Sequence, residues 1–183
     1  ETGKTVANAL VLYGGGSAGA LINSSATAAT QSGGVTISSA VSIGGSNSLT
    51  ISGAISGGSN GIAFVGSGAY TLSNTTNSIP TVATYSTGIT SLSLNDNVAL
   101  TVGSVTVGGT TYSGIKATGT VTLTQNNSSA GVRVSQAIDA GNVAIKSSGY
   151  ITVAVTNAAS AIAINSAGYI YLGGVNGADN VTP

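Results

Sequence analysis

The chain contains no cysteine, histidine, methionine or tryptophan, and one phenylalanine and two prolines among 183 residues. Without cysteine there is no disulfide, no thiol nucleophile and no thiolate metal ligand. The lack of histidine removes the general base of a serine or cysteine triad and the commonest ligand of a transition metal. Acidic side chains are limited to Glu1, Asp96, Asp139 and Asp179. Asp139 and Asp179 are about two coils apart in the repeat described below, which leaves roughly 10 Å between them along a stack and makes a general acid/base pair a poor reading. Turn-capping through nearby backbone amides suits each aspartate better. The bases, Lys4, Lys116, Arg133 and Lys146, are too few and scattered to form an electrostatic footprint for nucleic acid. No apolar run reaches membrane-helix length, so a spanning helix is not expected.

Charge is the scarcest commodity. Only 4% of residues are charged, and none lies between Thr5 and Asn95, whereas soluble domains carry about a quarter. The surface is expected to be neutral, made of hydroxyls, amides and glycine, and suited to association or anchoring. Disorder is not expected, because disordered chains are rich in charge and poor in β-branched residues.

What the chain does have is a repeat. Gly131 to Gly149 reads GVRVSQAIDAGNVAIKSSG, Tyr150 to Gly168 reads YITVAVTNAASAIAINSAG, and a third copy opens at Tyr169 as YIYLGG. The copies are 19 residues long and align Val132 with Ile151 and Ile170, Val134 with Val153 and Leu172, Val143 with Ile162, and Ile145 with Ile164. Gly149 and Gly168 close their copies in register. Within each couplet the apolar residues sit two apart, which places them on one face of a strand. Ser, Asn, Gly and Ala join the couplets, and no segment holds a helical spacing. Short copies of this kind stack as coils of a solenoid.

The same grammar runs less regularly upstream, in Val35/Ile37, Val41/Ile43, Leu49/Ile51, Ile62/Phe64, Leu92/Leu94 and Val105/Val107. Gly114-Ile115-Lys116-Ala117 resembles the Gly131 start one coil earlier, with Val121 and Leu123 as its second couplet. The expected fold is therefore an all-β parallel β-helix with coils of about 19 residues, nine or ten of them making a rod of about 45 Å. Residues 1–183 are expected to form one domain. Within it, 1–16 is a candidate N-terminal arm, 17–112 irregular coils and 113–183 regular repeats, with Tyr70 to Ile89 around Pro80 as a loop or irregular coil. Alternating couplets do not separate parallel from antiparallel pairing, so an antiparallel β-sandwich with strand exchange stays open for the first hundred residues.

Gly53-Ala-Ile-Ser-Gly-Gly58 and Gly66-Ser-Gly-Ala-Tyr-Thr-Leu-Ser73, with the C-terminal copies, resemble coils of bacterial autotransporter passengers and related haemagglutinin-type secreted adhesins. The resemblance covers about half the chain and implies a right-handed parallel β-helix displayed outside the cell. These 183 residues hold no translocator barrel and are far fewer than a passenger usually has, so the expectation is either a fragment of one or a small independent protein using the same coil. The chain opens on Glu1-Thr2-Gly3-Lys4 without methionine, and the expectation is an extracellular or cell-surface product whose export signal has been removed.

Few residues invite a ligand, and no cofactor is expected. Gly173 to Asp179 approaches a calcium-binding nonapeptide with one residue too many, which makes Asp179 the one metal candidate. Asn23, Asn74, Asn126, Asn127 and Asn180 begin glycosylation sequons. Tyr150, Tyr169 and Tyr171 are candidates for a sugar-contacting patch. Thr120-Val-Thr-Leu-Thr124 suggests an ice-binding face, but in the 19-residue alignment Thr152 faces Arg133 and Tyr171, so no threonine column is expected.

The last copy is as apolar as the earlier ones, and no charged or helical cap follows it. The expected function is a non-enzymatic extracellular structural subunit that joins copies of itself head to tail through strand pairing. Ala9, Leu10, Val11, Leu12 and Tyr13, followed by flexible Gly14 to Gly16, are either an arm donated to the next subunit or an ordinary first strand. Tyr169, Ile170, Tyr171 and Leu172 form the opposite joint. The alternatives are a surface adhesin that binds glycans or a host surface and, as a minor one, an ice-binding solenoid.

Overall fold

A computed structural model describes residues 3–84, 87–153, 164–166 and 170–174. The described residues are all-β with no helix among them, and the parallel sheets stack as a β-solenoid of about 7 turns with a spacing of about 22 residues. Sheet A runs β1 (Lys4–Val6), β4 (Ala29–Gln31), β6 (Leu49–Ile51), β9 (Ala69–Leu72), β11 (Ser91–Asp96), β16 (Thr120–Gln125), β19 (Asn142–Ser147), β22 (Ile170–Gly174). Sheet B runs β2 (Leu10–Gly14), β5 (Val35–Gly45), β8 (Ile62–Phe64), β10 (Thr81–Thr84), β12 (Leu100–Val102), β17 (Gly131–Val134), β20 (Tyr150–Val153), with β3 (Leu21–Asn23) and β7 (Ile55–Ser56) also on β5. A short third sheet, C, holds β15 (Ile115–Lys116), β18 (Ile138–Ala140) and β21 (Ile164–Ser166). The remaining two strands, β13 (Ser104–Val107) and β14 (Thr110–Ser113), pair with each other as an antiparallel hairpin.

Side-chain alternation decides the inside. Along sheet A, Leu49, Tyr70, Leu92, Val121 and Val143 stack in one inward column, and Ile51, Leu72, Leu94, Leu123 and Ile145 in the next. Sheet B faces them with Val41, Ile62, Val82, Val102 and Val134. All of these are buried. Phe64 of β8 meets Tyr70 of β9 with ring centroids 5.2 Å apart, which joins the two sheets through the interior. The Tyr70 hydroxyl donates to the Val65 carbonyl, so the one polar atom of that ring is satisfied.

Several expectations change. Val132 does stack on Ile151 and Val134 on Val153, the 19-residue step as read. The third copy, however, leaves that column: Ile170 pairs with Val143 and Leu172 with Ile145 in sheet A. Ile164 pairs with Ile138 in sheet C instead of Ile145, and Ile162 lies outside the described residues. Each coil here has three faces with the same alternation, so a sequence alignment matched residues that belong to different faces. For the same reason Ile115 pairs with Ile138 and is not equivalent to the Gly131 start.

Coils of about 22 residues also shorten the stack from nine or ten turns to about 7. The region around Pro80 is a regular coil: Tyr70 and Leu72 are in β9, and Pro80 directly precedes β10, where a missing N–H costs the ladder nothing. The sandwich alternative is excluded for the described residues, since every named strand pairing except the hairpin is parallel. Val105 and Val107, read as a coil couplet, belong to that hairpin. Gly108 and Gly109 close it at φ 57° and 81°, the left-handed pair that a two-residue hairpin turn requires.

Candidate functional site

The two large sheets present different exteriors. On sheet B, the outward side chains Ala63, Val65 and Ala83 are buried beneath the hairpin, packed with its Val105, Val107 and Tyr112. The hairpin's other face is polar, with Ser104 and Ser113 hydroxyls 2.8 Å apart and those of Thr106 and Thr111 2.9 Å apart. Small alanines at positions 63 and 83 leave room for this layer, which a larger outward side chain would displace.

Sheet A carries no such cover among the described residues. Its central outward column, in unbroken register, is Thr5, Thr30, Thr50, Thr71, Ser93 and Thr122, followed by Ala144 and Tyr171. The threonine column that the 19-residue alignment failed to show is therefore present, on a different face. Thr152 does face Arg133 on sheet B, but Tyr171 belongs to sheet A. Beside the column runs a second one, where Asn95 pairs with Thr124 and Thr124 with Lys146; Ser52 and Ser73 follow β6 and β9 at the same edge.

Asparagines hold the corners that flank this face. Asn74 Nδ2 donates to the Ser52 carbonyl at 3.1 Å and Asn95 Nδ2 to the Ser73 carbonyl at 3.2 Å, each one coil back. Asn126 and Asn127 do the same to the Asp96 and Asn97 carbonyls at 3.1 and 3.2 Å. Asn23 is 4% exposed, and its amide donates to the Thr27 and Ser48 carbonyls. In four of the five sequon positions, Asn23, Asn74, Asn126 and Asn127, the nitrogen that would carry a sugar is thus bonded to a backbone carbonyl. These residues tie coils together; a glycan replaces one of the two amide hydrogens, so on Asn23, which uses both, it would remove one of these bonds. Asn180 lies outside the described residues.

Among the described residues, one carboxylate is fully buried. Asp96 ends β11 at the corner after sheet A, where its carboxylate accepts from the Ile79 N–H at 2.9 Å and the Val98 N–H at 3.1 Å. Burial raises its pKa to about 6, against the opposing pull of those backbone donors. In the inward register it is followed by Gln125 and Ser147, whose hydroxyl lies 3.2 Å from Gln125 Oε1. This is the backbone-capping role expected of an aspartate. Asp139 is exposed on β18, in register with Lys116 of the coil before, and no other acidic residue stands on the described strands of sheet C. No group of three or more His, Cys, Asp or Glu side chains gathers among the described residues; Asp179 lies outside them.

Two of the three patch tyrosines stand on different sheets. Tyr150 stands on sheet B and Tyr171 on sheet A, and Tyr169 lies outside the described residues. The third sequence copy switches sheets, so identical copy positions do not share a surface.

At the first coil, Leu10 to Tyr13 form this chain's own β2, in register with β5, and Leu12 is buried in the core. Within the single chain these residues stand as an ordinary first strand, with Ala9 just ahead of it. Gly14 to Gly16 form a bend at φ 57°, 109° and 58°, where the Ser42 hydroxyl donates to the Gly16 carbonyl at 2.6 Å. Val6, Val11, Tyr13 and Ile22, all of this coil, are exposed. Among the described residues, β1 pairs only with β4 and β2 only with β5, which leaves one backbone edge of each open. Sequence reasoning found the apolar strand but missed the threonine column. Its one signal was the repeated Thr-x-Ser or Thr-x-Thr of Thr50-Ile-Ser52, Thr71-Leu-Ser73 and Thr122-Leu-Thr124.

The chain matches no family model, no curated protein and no solved structure.

Proposed function

We propose that the chain is a non-enzymatic structural rod of an extracellular surface filament or layer, continued head to tail by strand pairing between copies. The observation that carries this reading is the open edge of β1 and β2, which shares the first coil with exposed Val6, Val11, Tyr13 and Ile22. Unpaired strand edges are templates for further pairing, and a joint of this kind that does not close makes a filament. The neutral surface offers little charge repulsion between copies.

The Leu10 N–H donates to the Gly34 carbonyl at 2.9 Å; alternation along a parallel ladder therefore turns the Val11 N–H toward the open edge. Val11→Pro removes that donor without removing a bond to β5. The expected result is concentration-dependent fibres of the wild-type chain by electron microscopy and sedimentation, and monomeric rods of the variant. Wild-type chains that stay monomeric at every concentration, or fibres unaffected by Val11→Pro, overturn the reading.

A further inference from the structure

The exterior of sheet A has a regularity that neither the solenoid core nor head-to-tail joining requires. A coil needs its inward residues; its outward ones are free to vary, as they do on sheet B, where Thr81, Thr101, Arg133 and Thr152 share a column. On sheet A the outward column instead keeps a hydroxyl at Thr5, Thr30, Thr50, Thr71, Ser93 and Thr122. These hydroxyls repeat every 4.8 Å or so along the stack, and the next outward position on each strand is about 6.6 Å away. Threonine is stiff at χ1, so hydroxyls and methyls are held in a grid. The asparagine ties at the corner, Asn74 to Ser52 and Asn95 to Ser73, keep successive coils in step.

Three features narrow what such a face meets. No charged side chain stands in the column from Thr5 to Thr122, which disfavours an ionic ligand or nucleic acid. No aromatic ring stands there either, so there is no stacking platform for a sugar ring. Seven coils' height by about five residues' width comes to roughly 550 Å², about two thirds of the ~800 Å² per partner that a stable protein complex buries. What remains is a neutral solid whose own hydrogen-bonding groups repeat in two dimensions. We infer that the threonine face of sheet A adsorbs to ice, by ordering a layer of water in a grid close to the oxygen rows of the crystal. This does not rest on the head-to-tail reading, because a single rod presents the complete face.

The test uses the purified chain with a seeded ice crystal. Expected are faceting of the crystal and a gap between melting and freezing points with wild type. Both should be lost in Thr71→Lys and in Thr50→Lys, and retained in Thr36→Lys, which alters the exposed outer side of β5 on sheet B. Circular dichroism and a melting curve establish that each variant is folded, and either sheet A variant suffices if the other misfolds. A folded wild-type chain that leaves ice growth unchanged overturns the inference. So does equal loss in Thr36→Lys, or binding to insoluble polysaccharide or to a second copy through this face with no effect on ice.

Discussion

Sheets A and B are built from the same coils and share one interior, yet one exterior is a bare hydroxyl grid and the other lies under a hairpin. The difference comes from what the connecting segments do. Between β11 and β16 of sheet A the chain detours through Ser104 to Ser113, and the hairpin folds back over Ala63, Val65 and Ala83. Outward positions that would otherwise face water become a second small core. On sheet A the corners are tied by asparagine, and the outward hydroxyls from Thr30 to Thr122 stay half-buried and in register. An insertion in one turn can thus change the chemistry of a whole face without altering the coil that carries it.

The most damaging way to break the comparison is to remove what the two sheets share. Phe64→Ala truncates a fully buried ring packed on Tyr70 and should cost about 3–5 kcal/mol, seen as a lowered urea midpoint for both sheets together. Next, Ala83→Lys places an ammonium group under the hairpin, where Ala83 is fully buried. About 3 kcal/mol of destabilisation is expected, with proteolytic cleavage appearing within 104–113 before the solenoid itself is cut.

A third test concerns the buried corner beside sheet A. Because the folded pKa of Asp96 is about 6, above the ordinary 3.8, the native state binds the proton more tightly than the unfolded chain. Stability should therefore be greatest below pH 4, fall as pH rises through 4 to 6, and level off above. The change is up to about 3 kcal/mol, and Asp96→Asn should flatten it in urea titrations at pH 4 and 7. The smallest effect belongs to Thr71→Lys, the same substitution as at Ala83 but on the bare face. Its melting point should move little, within about 0.5 kcal/mol; a loss matching Ala83→Lys would show that sheet A is covered after all.

Much of the interior was legible in the residues. Val35/Ile37, Leu49/Ile51, Ile62/Phe64 and Leu92/Leu94 alternate, and each pair turns out to be inward and buried, because burial on one face of a strand demands a period of two. The parallel stacking followed from recurrence. The step length did not: the 19-residue match holds from β17 to β20, while Val121 and Val143, or Leu92 and Val121, are separated by longer turns. The threonine column was hidden for the same reason. Thr30, Thr50, Thr71 and Thr122 fall at unequal intervals in the chain, and only the pairing of their strands reveals them as neighbours.

The sequence alone therefore settles that the alternating couplets are buried on one face, because apolar alternation and the scarcity of charge leave such a strand no other favourable arrangement. Which coil lies on which, and what each exterior becomes, is decided in three dimensions. Backbone pairing tolerates turns of different length as long as inward columns stay filled, so the register, and with it the hydroxyl grid on sheet A and the small core under the hairpin, exists only once the coils are stacked.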